Sequence, residues 1–379
     1  MDATGKYEVA EQRSKRQMNH RQRVMQALNH RQPDRVPLDE AFRPEVWAKL
    51  EQQFRGDEEL VRDKLGVDLR TVSIDPPERF TKKSWPSPSF SGFRTVRRLS
   101  PNLYEDEWGI RYALGATGRY WHFHTHPLEH RPLDDYDWPD VDAPGRFDNA
   151  AEGVDRWKEE YAVAAGGDIE ETFFEQSWYL RGFARLLRDF YTNPDFVHDL
   201  LDRLQEYRVA QARKLLDLGV DIVRLGDDLG TQNTLILPPR LWREFIKPRL
   251  RALIQAIKAR GHAKIFYHSD GNIRQLIPEL LEIGVEILNP IQPECISPEE
   301  VKAAFGDRLT LHGTISIQRT LPFGTPSEVR QVVLARIRDC GSNGGLILAP
   351  THAVQTDTPL ENLLTMYRAA TEHQQEGQQ

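Results

Sequence analysis

The stretch AKIFYHSDGNIRQLIPELLEIGVEILNPIQ, residues 263–292, places two strands and a helix in direct succession. Residues 263–267 form a short apolar run with aromatic and β-branched side chains, which is typical of a buried strand. Residues 273–283 carry apolar side chains at helical spacing, and residues 285–288 are again strand-like. Because a helix that joins two strands usually brings them side by side in parallel, this stretch predicts a βαβ unit.

The same alternation continues on both sides of this unit. Further strands are predicted at residues 221–225, 309–311 and 346–348, and further helices at residues 239–260, 298–305 and 326–340. This order of elements predicts a parallel sheet with helices packed outside it.

A polar or glycine-bearing cluster follows each of five predicted strands. The clusters are GDDLGTQ (226–232), HSDGN (268–272), NPIQ (289–292), HGTIS (312–316) and PTHAVQ (350–355). In a (β/α)8 barrel the carboxyl ends of the strands form the active-site face. A doubly wound sheet would instead concentrate its ligand groups at one switch point, usually beside a glycine-rich first turn. Neither GxGxxG nor GxxxxGKS/T occurs here, so the sequence predicts an α/β fold of the (β/α)8 TIM-barrel class.

The first half of the chain is less regular. A helix is expected to begin near residue 18, with Val24, Met25 and Leu28 on one face, and residues 35–40 (RVPLDE) are expected to form a short strand. Residues 76–150 are rich in Pro, Trp and His and contain short alternating segments, which indicates an insertion of hairpins.

The predicted domain organisation follows from these patterns. We expect one barrel domain over residues 18–372, which includes the insertion. Residues 1–17 have mixed charges and no apolar period, so they predict a flexible N-terminal extension, and residues 373–379 predict a flexible tail.

Composition narrows the class of protein. The 379 residues include 50 basic and 57 acidic side chains, a net charge of −7, which argues against a general nucleic-acid binder. No run approaches the roughly 20 apolar residues that cross a bilayer, and the polar start lacks the apolar segment of a secretory signal. Cys295 and Cys340 form neither a disulfide framework nor a CxxC pair. We therefore expect a soluble, cytoplasmic protein without nucleic-acid or membrane partners.

Two predicted strand ends offer metal ligands. His268 and Asp270 lie at positions i and i+2, so both side chains can address one point. His352 follows the strand LILAP and can approach that point from another strand end. Two imidazoles and one carboxylate suit zinc or another divalent metal, with open positions for a substrate. The alternative is that Asp270 orients His268 or caps the next helix, while His352 is a surface histidine.

Other polar residues occupy similar positions. Asp227 and Asp228 are a candidate catalytic pair, in which one carboxylate acts as a general base or binds substrate. The alternative is that one caps the following loop and the other faces solvent. Candidate substrate-binding residues are Gln232, Gln292, His312, Gln318 and Gln355, together with Trp178 in the aromatic run FFEQSWYLRG (173–182). Taken alone, each polar residue of this set fits a structural role better, and the aromatic run is equally compatible with a packed helix start.

A histidine stripe lies inside the predicted insertion. His122, His124 and His126 alternate in WHFHTH and therefore share one face of a strand. Three imidazoles on one face can ligate a metal. The alternative is that the stripe is the exposed face of a hairpin.

Taken together, the strand-end clusters resemble the uroporphyrinogen decarboxylase superfamily. The matching segments extend from about residue 18 to 371 and keep a specific order. They are MNHRQRVMQALNHRQPDRVPLD, EDEWG, GDDLGTQNTLILPPRLWREFIKPRL, HSDGNIRQLIPELLEIGVEILNPIQ, FGDRLTLHGTISIQ and LAPTHAVQTDTPLENLLTMY. The resemblance implies a (β/α)8 barrel, and barrels of this superfamily often pair as homodimers.

The chain departs from both branches of that superfamily. The decarboxylases carry an arginine-rich loop after the first strand that binds the substrate's carboxylates, whereas EAFRPEVW (40–47) contains only Arg43. The other branch contains corrinoid-linked methyltransferases, which bind zinc through an HxC pair and a cysteine near the C-terminus. His268 matches the first of these ligands, Asp270 stands where that branch has cysteine, and His352 lies near the third. The resemblance therefore implies a harder, more Lewis-acidic site than a thiolate-rich one.

The sequence is thus closer to the methyltransferase branch. No DxHxxG corrinoid-binding motif occurs in it, so a corrinoid would sit on a separate partner protein. We expect a metal-dependent methyltransferase that moves a methyl group from a small, methoxylated substrate to that corrinoid. Two alternatives stay open at this point: a decarboxylase of uroporphyrinogen or another carboxylate, and a non-catalytic barrel that binds small molecules.

Overall fold

The computed structural model describes residues 18–77, 84–85, 96–115 and 121–376. In this part of the chain the strands are β1 (Leu69–Ser73), β2 (Ser84–Trp85), β3 (Val96–Ser100), β4 (Leu103–Glu105), β5 (Arg111–Leu114), β6 (Trp121–Thr125), β7 (Ala162–Gly166), β8 (Ile222–Gly226), β9 (Lys264–His268), β10 (Ile287–Asn289), β11 (Thr310–Ile315) and β12 (Leu346–Pro350).

The helices alternate with the strands over the second half of the chain. They are α1 (His20–Leu28), α2 (Pro44–Phe54), α3 (Glu58–Leu65), α4 (Asp148–Trp157), α5 (Phe174–Arg181), α6 (Phe183–Thr192), α7 (Pro194–Leu218), α8 (239–258, including the π-helical turn Trp242–Ile246), α9 (Ile277–Ile283), α10 (Pro298–Phe305), α11 (Thr320–Phe323), α12 (Pro326–Cys340) and α13 (Leu360–Glu376). The strands and helices predicted after residue 220 are all present, with ends that differ by a few residues.

The main sheet is parallel, with the strand order β1-β7-β8-β9-β10-β11-β12. The short segment 36–42 lies between its two edge strands. Leu38 forms a parallel bridge to Leu348 of β12, and the carbonyl of Leu38 accepts the N–H of Asp68, just before β1, at 2.8 Å. This segment therefore takes the eighth place and closes the barrel, which confirms the predicted fold class.

The predicted strand at residues 35–40 is present only as isolated bridges, at Leu38 and Phe42. Pro37 is one reason. Its carbonyl accepts the N–H of Leu348 at 2.9 Å, but proline has no N–H to continue the ladder.

The lower half of the barrel interior is apolar. Inward side chains from six strands form one cluster with Val24 and Leu28 of α1, and the strand residues are Leu69, Ala162, Ala164, Ile222, Phe266, Ile287 and Ile347. Because Leu69 and Ala162 begin their strands, this cluster lies toward the amino-terminal end of the barrel. In the part of the chain that the structure describes, the amino-terminal end of the barrel is therefore covered by this helix.

The insertion forms an antiparallel sheet with the order β2-β3-β4-β5-β6, as the alternating segments predicted. Trp108, in the EDEWG segment, ties it to the barrel because its Nε1 donates a hydrogen bond to Asp168 Oδ1 at 2.9 Å. Residues 78–83, 86–95 and 116–120 of the insertion lie outside the described residues, as do the predicted extension 1–17 and the end of the predicted tail. The helix α13 continues to Glu376, so the first four residues predicted as flexible tail are helical instead.

None of the helices in the described ranges has the length and apolar character that crossing a membrane requires.

Candidate metal centre

Three side chains meet above the carboxyl ends of β9 and β12. β9 ends at His268, and Asp270 follows two residues later, while β12 ends at Pro350, two residues before His352. One ligand atom of each of the three side chains lies within 4.8 Å of the others. The structure thus brings together the three residues proposed as metal ligands, and metal binding by them stays a prediction.

The ring of His268 has a fixed orientation. Its Nδ1 lies 2.6 Å from Asn289 Oδ1. Its Nε2 lies 3.6 Å from Asp228 Oδ1 and 3.9 Å from Asp270 Oδ1. Burial acts to lower the pKa of His268, but the charges of Asp270 and Asp228 outweigh it, so the pKa is raised. The free nitrogen of this ring therefore faces two carboxylates.

His352 has the opposite electrostatic balance. Burial lowers its pKa, and the neighbouring His268 lowers it further despite the attraction of Asp270. A lowered pKa favours the neutral imidazole, which is the form that binds metals. Its Nδ1 accepts the backbone N–H of Ala353 at 2.7 Å.

The loops after β8 and β9 hold Asp270 in place. The N–H of Asp270 donates to Asp228 Oδ1 at 2.8 Å. Gly271 has φ +79°, and a Cβ added there would lie 2.5 Å from the carbonyl oxygen of Thr231. Only glycine combines this backbone conformation with so close an approach. Asp270 and Gly271 therefore hold the loop after β9 in close contact with the loop after β8.

Asp227 and Asp228 occupy different environments. Asp227 is fully buried, and its Oδ1 accepts the N–H groups of Phe173 at 3.0 Å and Glu175 at 2.9 Å. It therefore caps the start of α5 from the neighbouring strand. Burial raises the pKa of Asp227 to about 7. The Asp228 side chain is 40% exposed, so Asp228 is the member of the candidate catalytic pair that reaches the barrel mouth, whereas Asp227 lies beneath it.

Glu175 is a further titratable residue at the mouth that the sequence interpretation missed. Its Oε1 accepts the hydroxyl of Tyr179 at 2.9 Å, and its Oε2 accepts the N–H of Asp228 at 3.1 Å. Burial, and then the charge of Asp228, hold the pKa of Glu175 well above its usual range. The signal in the sequence was an acidic residue within the aromatic run 173–182, at the start of the helix that follows β7.

A cavity of about 220 Å³ adjoins two of the three candidate ligands, Asp270 and His352. It is lined by Asp270, Gln292, Ile317, Gln318, Thr351 and His352. Two residues predicted to bind substrate, Gln292 and Gln318, are therefore next to the candidate metal site. Substrate binding by them stays a prediction.

The other predicted substrate-binding residues do not line this cavity. Gln232 is exposed and its Oε1 accepts the Cys295 thiol at 3.3 Å, and the amide of Gln355 donates to the carbonyl of Ala353 at 2.8 Å. Trp178 lies on α5 and packs edge-on against Phe123. His312 is buried below the site and both its ring nitrogens are hydrogen-bonded to protein groups. Substrate contact by these residues stays a prediction that the geometry does not favour.

The histidine stripe of the insertion lies on β6 and just after it. His122 and His124 are exposed, and His126 Nδ1 lies 2.7 Å from the carbonyl oxygen of Tyr179. Within the described residues, the only group of three or more candidate ligands is His268, Asp270 and His352. The arrangement favours the interpretation of the stripe as a hairpin face.

The fold and this site define a (β/α)8-barrel protein with a candidate centre for a divalent metal at the barrel mouth. The chain belongs to the uroporphyrinogen decarboxylase (URO-D) family, whose model matches residues 109–373.

Curated relatives of the chain fall into two enzyme classes. A methylated-thiol–coenzyme M methyltransferase of Methanosarcina mazei is 24% identical over 63% of this chain and 62% of its own length. A methylcobamide:CoM methyltransferase of Methanosarcina barkeri is 25% identical over 47% of this chain and 50% of its own length. A uroporphyrinogen decarboxylase of Coxiella burnetii is 22% identical over 47% of this chain and 48% of its own length. The chain thus spans about half to three fifths of these relatives.

The fold has a counterpart among solved structures. A methyltransferase from Methanosarcina mazei superposes with a TM-score of 0.67 and 17% identity, covering 94% of this chain and 99% of that one. This likeness supports the barrel architecture over nearly the whole chain.

Proposed function

We propose that this protein is a metal-dependent methyltransferase, which moves a methyl group from a small methoxylated substrate to a corrinoid on a partner protein. The observation that carries the proposal is the convergence of His268, Asp270 and His352 within 4.8 Å at the barrel mouth. The methyltransferases among the relatives support the reaction class.

The three side chains fit a divalent metal. Two imidazole nitrogens and a carboxylate oxygen are donors that zinc and iron accept. Asn289 Oδ1 lies 2.6 Å from the Nδ1 of His268. Metal-binding histidines usually have such a hydrogen-bond partner on the ring nitrogen that does not bind the metal. Neither cysteine belongs to the group. A metal held there would supply Lewis acidity toward the oxygen that bears the methyl group.

The protein's own residues would then bind the substrate and handle the proton. Gln292, Gln318 and Thr351 line the cavity beside the ligands and offer hydrogen bonds to polar substrate groups. Asp228 lies beside the candidate ligands, with Oδ1 3.6 Å from His268 Nε2, and Glu175 Oε2 accepts the backbone N–H of Asp228 at 3.1 Å. In this proposal, one of these two acids gives a proton to the substrate oxygen when that oxygen loses its methyl group.

The methyl acceptor in this proposal is a corrinoid held by another protein. The sequence contains no DxHxxG motif, and one relative is named as a methylcobamide:CoM methyltransferase. A cobalt corrinoid would supply the nucleophile that accepts the methyl group. A homodimer and a cytoplasmic location belong to the same proposal, on the strength of the family resemblance.

The test is the metal content of the purified protein after reconstitution with zinc or iron. We expect a stoichiometric divalent metal in the wild type and a large loss of affinity in Asp270→Ala. A matched control is Asp307→Ala. This variant removes a carboxylate that is 76% exposed and does not belong to the group of candidate ligands, so it should bind metal like the wild type. A wild-type protein that takes up neither metal would refute the proposal.

The second candidate is a decarboxylase, which the Coxiella burnetii relative supports. A porphyrinogen with several carboxylates requires several cations to bind it. The cavity lining contains no lysine or arginine, and the segment EAFRPEVW supplies only Arg43. The methyltransferase therefore agrees better with the charges at the mouth. A non-catalytic barrel is the remaining alternative, and it gives no role to the titratable groups Asp228 and Glu175.

A further inference from the structure

A line of four polar side chains crosses the barrel interior below the candidate metal centre. His268 Nδ1 lies 2.6 Å from Asn289 Oδ1, Asn289 Nδ2 lies 2.8 Å from His312 Nδ1, and His312 Nε2 lies 2.9 Å from Asp39 Oδ2. The four residues come from β9, β10, β11 and the segment that closes the barrel. Asn289, His312 and Asp39 are each less than a tenth exposed.

The direction of these hydrogen bonds follows from the carboxylate at one end. Burial works against ionisation of Asp39, but the hydrogen bond from His312, the electrostatic attraction of His312 and then the charge of Arg224 hold its pKa below the usual range. An ionised carboxylate only accepts hydrogen bonds. His312 therefore carries a proton on Nε2. Asn289 turns its Nδ2, which can only donate, toward His312 Nδ1, so Nδ1 must bear a lone pair and the His312 ring is neutral.

The same reasoning extends to His268. The lone pair on His312 Nδ1 accepts the amide N–H of Asn289, so the carbonyl oxygen of Asn289 points at His268 and must accept from it. The proton of a neutral His268 then lies on Nδ1. Its Nε2 is bare, and this is the nitrogen that faces Asp228 and Asp270.

Packing restricts the His312 ring and leaves the Asn289 amide room to lie beside it. Phe266 contacts the His312 ring edge-on, with 5.0 Å between centroids. Gly313 has φ +84°, and a Cβ added there would lie 3.4 Å from Asn289 Nδ2, so a larger residue at position 313 would crowd the amide. Exchange of the amide oxygen and nitrogen keeps the shape of Asn289, so the hydrogen bonds of its neighbours decide which way it points.

We propose that Asp39, His312 and Asn289 are positioning residues, which fix His268 in the tautomer that leaves Nε2 free and so prepare it as a metal ligand. Asp39 would thus control the ligand from three hydrogen bonds away. The consequence for metal affinity rests on the proposed function, whereas the tautomer of His268 can be measured without any metal.

The variant Asp39→Asn tests the mechanism because it leaves the shape of the side chain nearly unchanged. Its amide can donate to His312 Nε2, which would reverse every bond of the line and place the proton of His268 on Nε2. Long-range ¹H–¹⁵N correlation spectra of metal-free protein report which ring nitrogen carries the proton. We expect Nδ1–H on His268 in the wild type and Nε2–H in Asp39→Asn, with zinc affinity lower by about 10–100-fold, the usual effect of losing such a partner.

The matched control is Glu40→Gln. Glu40 is the next residue and pairs with Arg62 at 3.0 Å instead of joining the line, so its variant should keep both the wild-type tautomer and the wild-type zinc affinity. A neutral wild-type His268 whose single proton lies on Nε2 overturns the proposal without reference to any variant. So does an Asp39→Asn protein that folds and keeps the wild-type tautomer. If the wild type shows Nδ1–H and binds neither zinc nor iron, the proposed function fails and the positioning role stands.

Discussion

Asp228 is the acidic side chain of its pair that reaches the barrel mouth, where it contacts the N–H of Asp270 and faces His268. We expect Asp228→Asn to reduce methyl transfer far more than stability. Loss of a general acid or base costs on the order of 10²–10⁴-fold in rate, whereas asparagine replaces a capping aspartate with little loss of stability. Turnover and melting temperature should be measured on one sample, with small methoxylated compounds as donors and free reduced cobalamin as acceptor.

Asp227→Asn should be measured alongside Asp228→Asn, because Asp227 is the buried member of the same pair. Near-normal turnover in both asparagine variants would mean that the carboxylate pair is structural and would remove Asp228 from the mechanism.

The raised pKa of Asp227 makes stability depend on pH. Its pKa is about 7 in the folded protein and about 3.9 in an unfolded chain. The unfolded state therefore releases this proton first, and folding loses stability as pH rises from about 4 to about 7, by at most roughly 1.4 kcal/mol per pH unit. We expect Asp227→Asn to remove this loss, so that its stability relative to the wild type increases over that range.

Urea unfolding at pH 5, 6 and 7 measures the effect. The backbone hydrogen bonds from Phe173 and Glu175 can still be accepted by the asparagine oxygen, so the cap survives the substitution. Parallel pH dependences in the two proteins would show that Asp227 is ionised throughout.

At the scale of elements, the loops after β8 and β9 position Asp270, one of the three candidate ligands. Gly271→Ala combines a left-handed backbone with a Cβ 2.5 Å from the Thr231 carbonyl oxygen. We expect it to lower stability by more than the 1–2 kcal/mol or so of the backbone strain alone, and to weaken metal binding, because Asp270 must shift with its loop.

Gly219→Ala separates the strain of a left-handed backbone from the steric clash of the added Cβ. Gly219 has φ +91°, yet a Cβ there would meet no atom within 4 Å. This variant therefore reports strain without a clash, far from the site, and should retain metal binding. Equal losses of stability in both variants, with metal affinity intact, would show that the loop contact does not hold the site.

At the scale of the whole molecule, the barrel mouth decides which substrates can enter. The cavity beside the ligands measures about 220 Å³ and has no lysine or arginine in its lining. We expect no useful turnover of uroporphyrinogen, because its carboxylates would find few cations there. Formation of coproporphyrinogen can be followed with the purified protein. A substantial rate would mean that other arginines bind the carboxylates and that the decarboxylase is the correct function.

The sequence by itself determined the class of fold and one part of the site. The alternation of apolar strands and amphipathic helices is a local pattern, and so is the polar cluster at each strand end. Both therefore indicated the barrel and its functional face before any contact was known. The spacing of His268 and Asp270 likewise predicted that both side chains reach the same place, since residues i and i+2 of an extended chain lie on the same face.

Only the tertiary structure decided how the remaining groups are used. It brought His352 to that point from three strands away, placed Asp227 under a helix rather than at the mouth, and surrounded Glu175 with groups that raise its pKa. It also joined His312 to Asp39, which lies 273 residues away in the chain. Burial, charge and hydrogen-bond partners depend on which distant segments come together, and no local pattern in the chain records that.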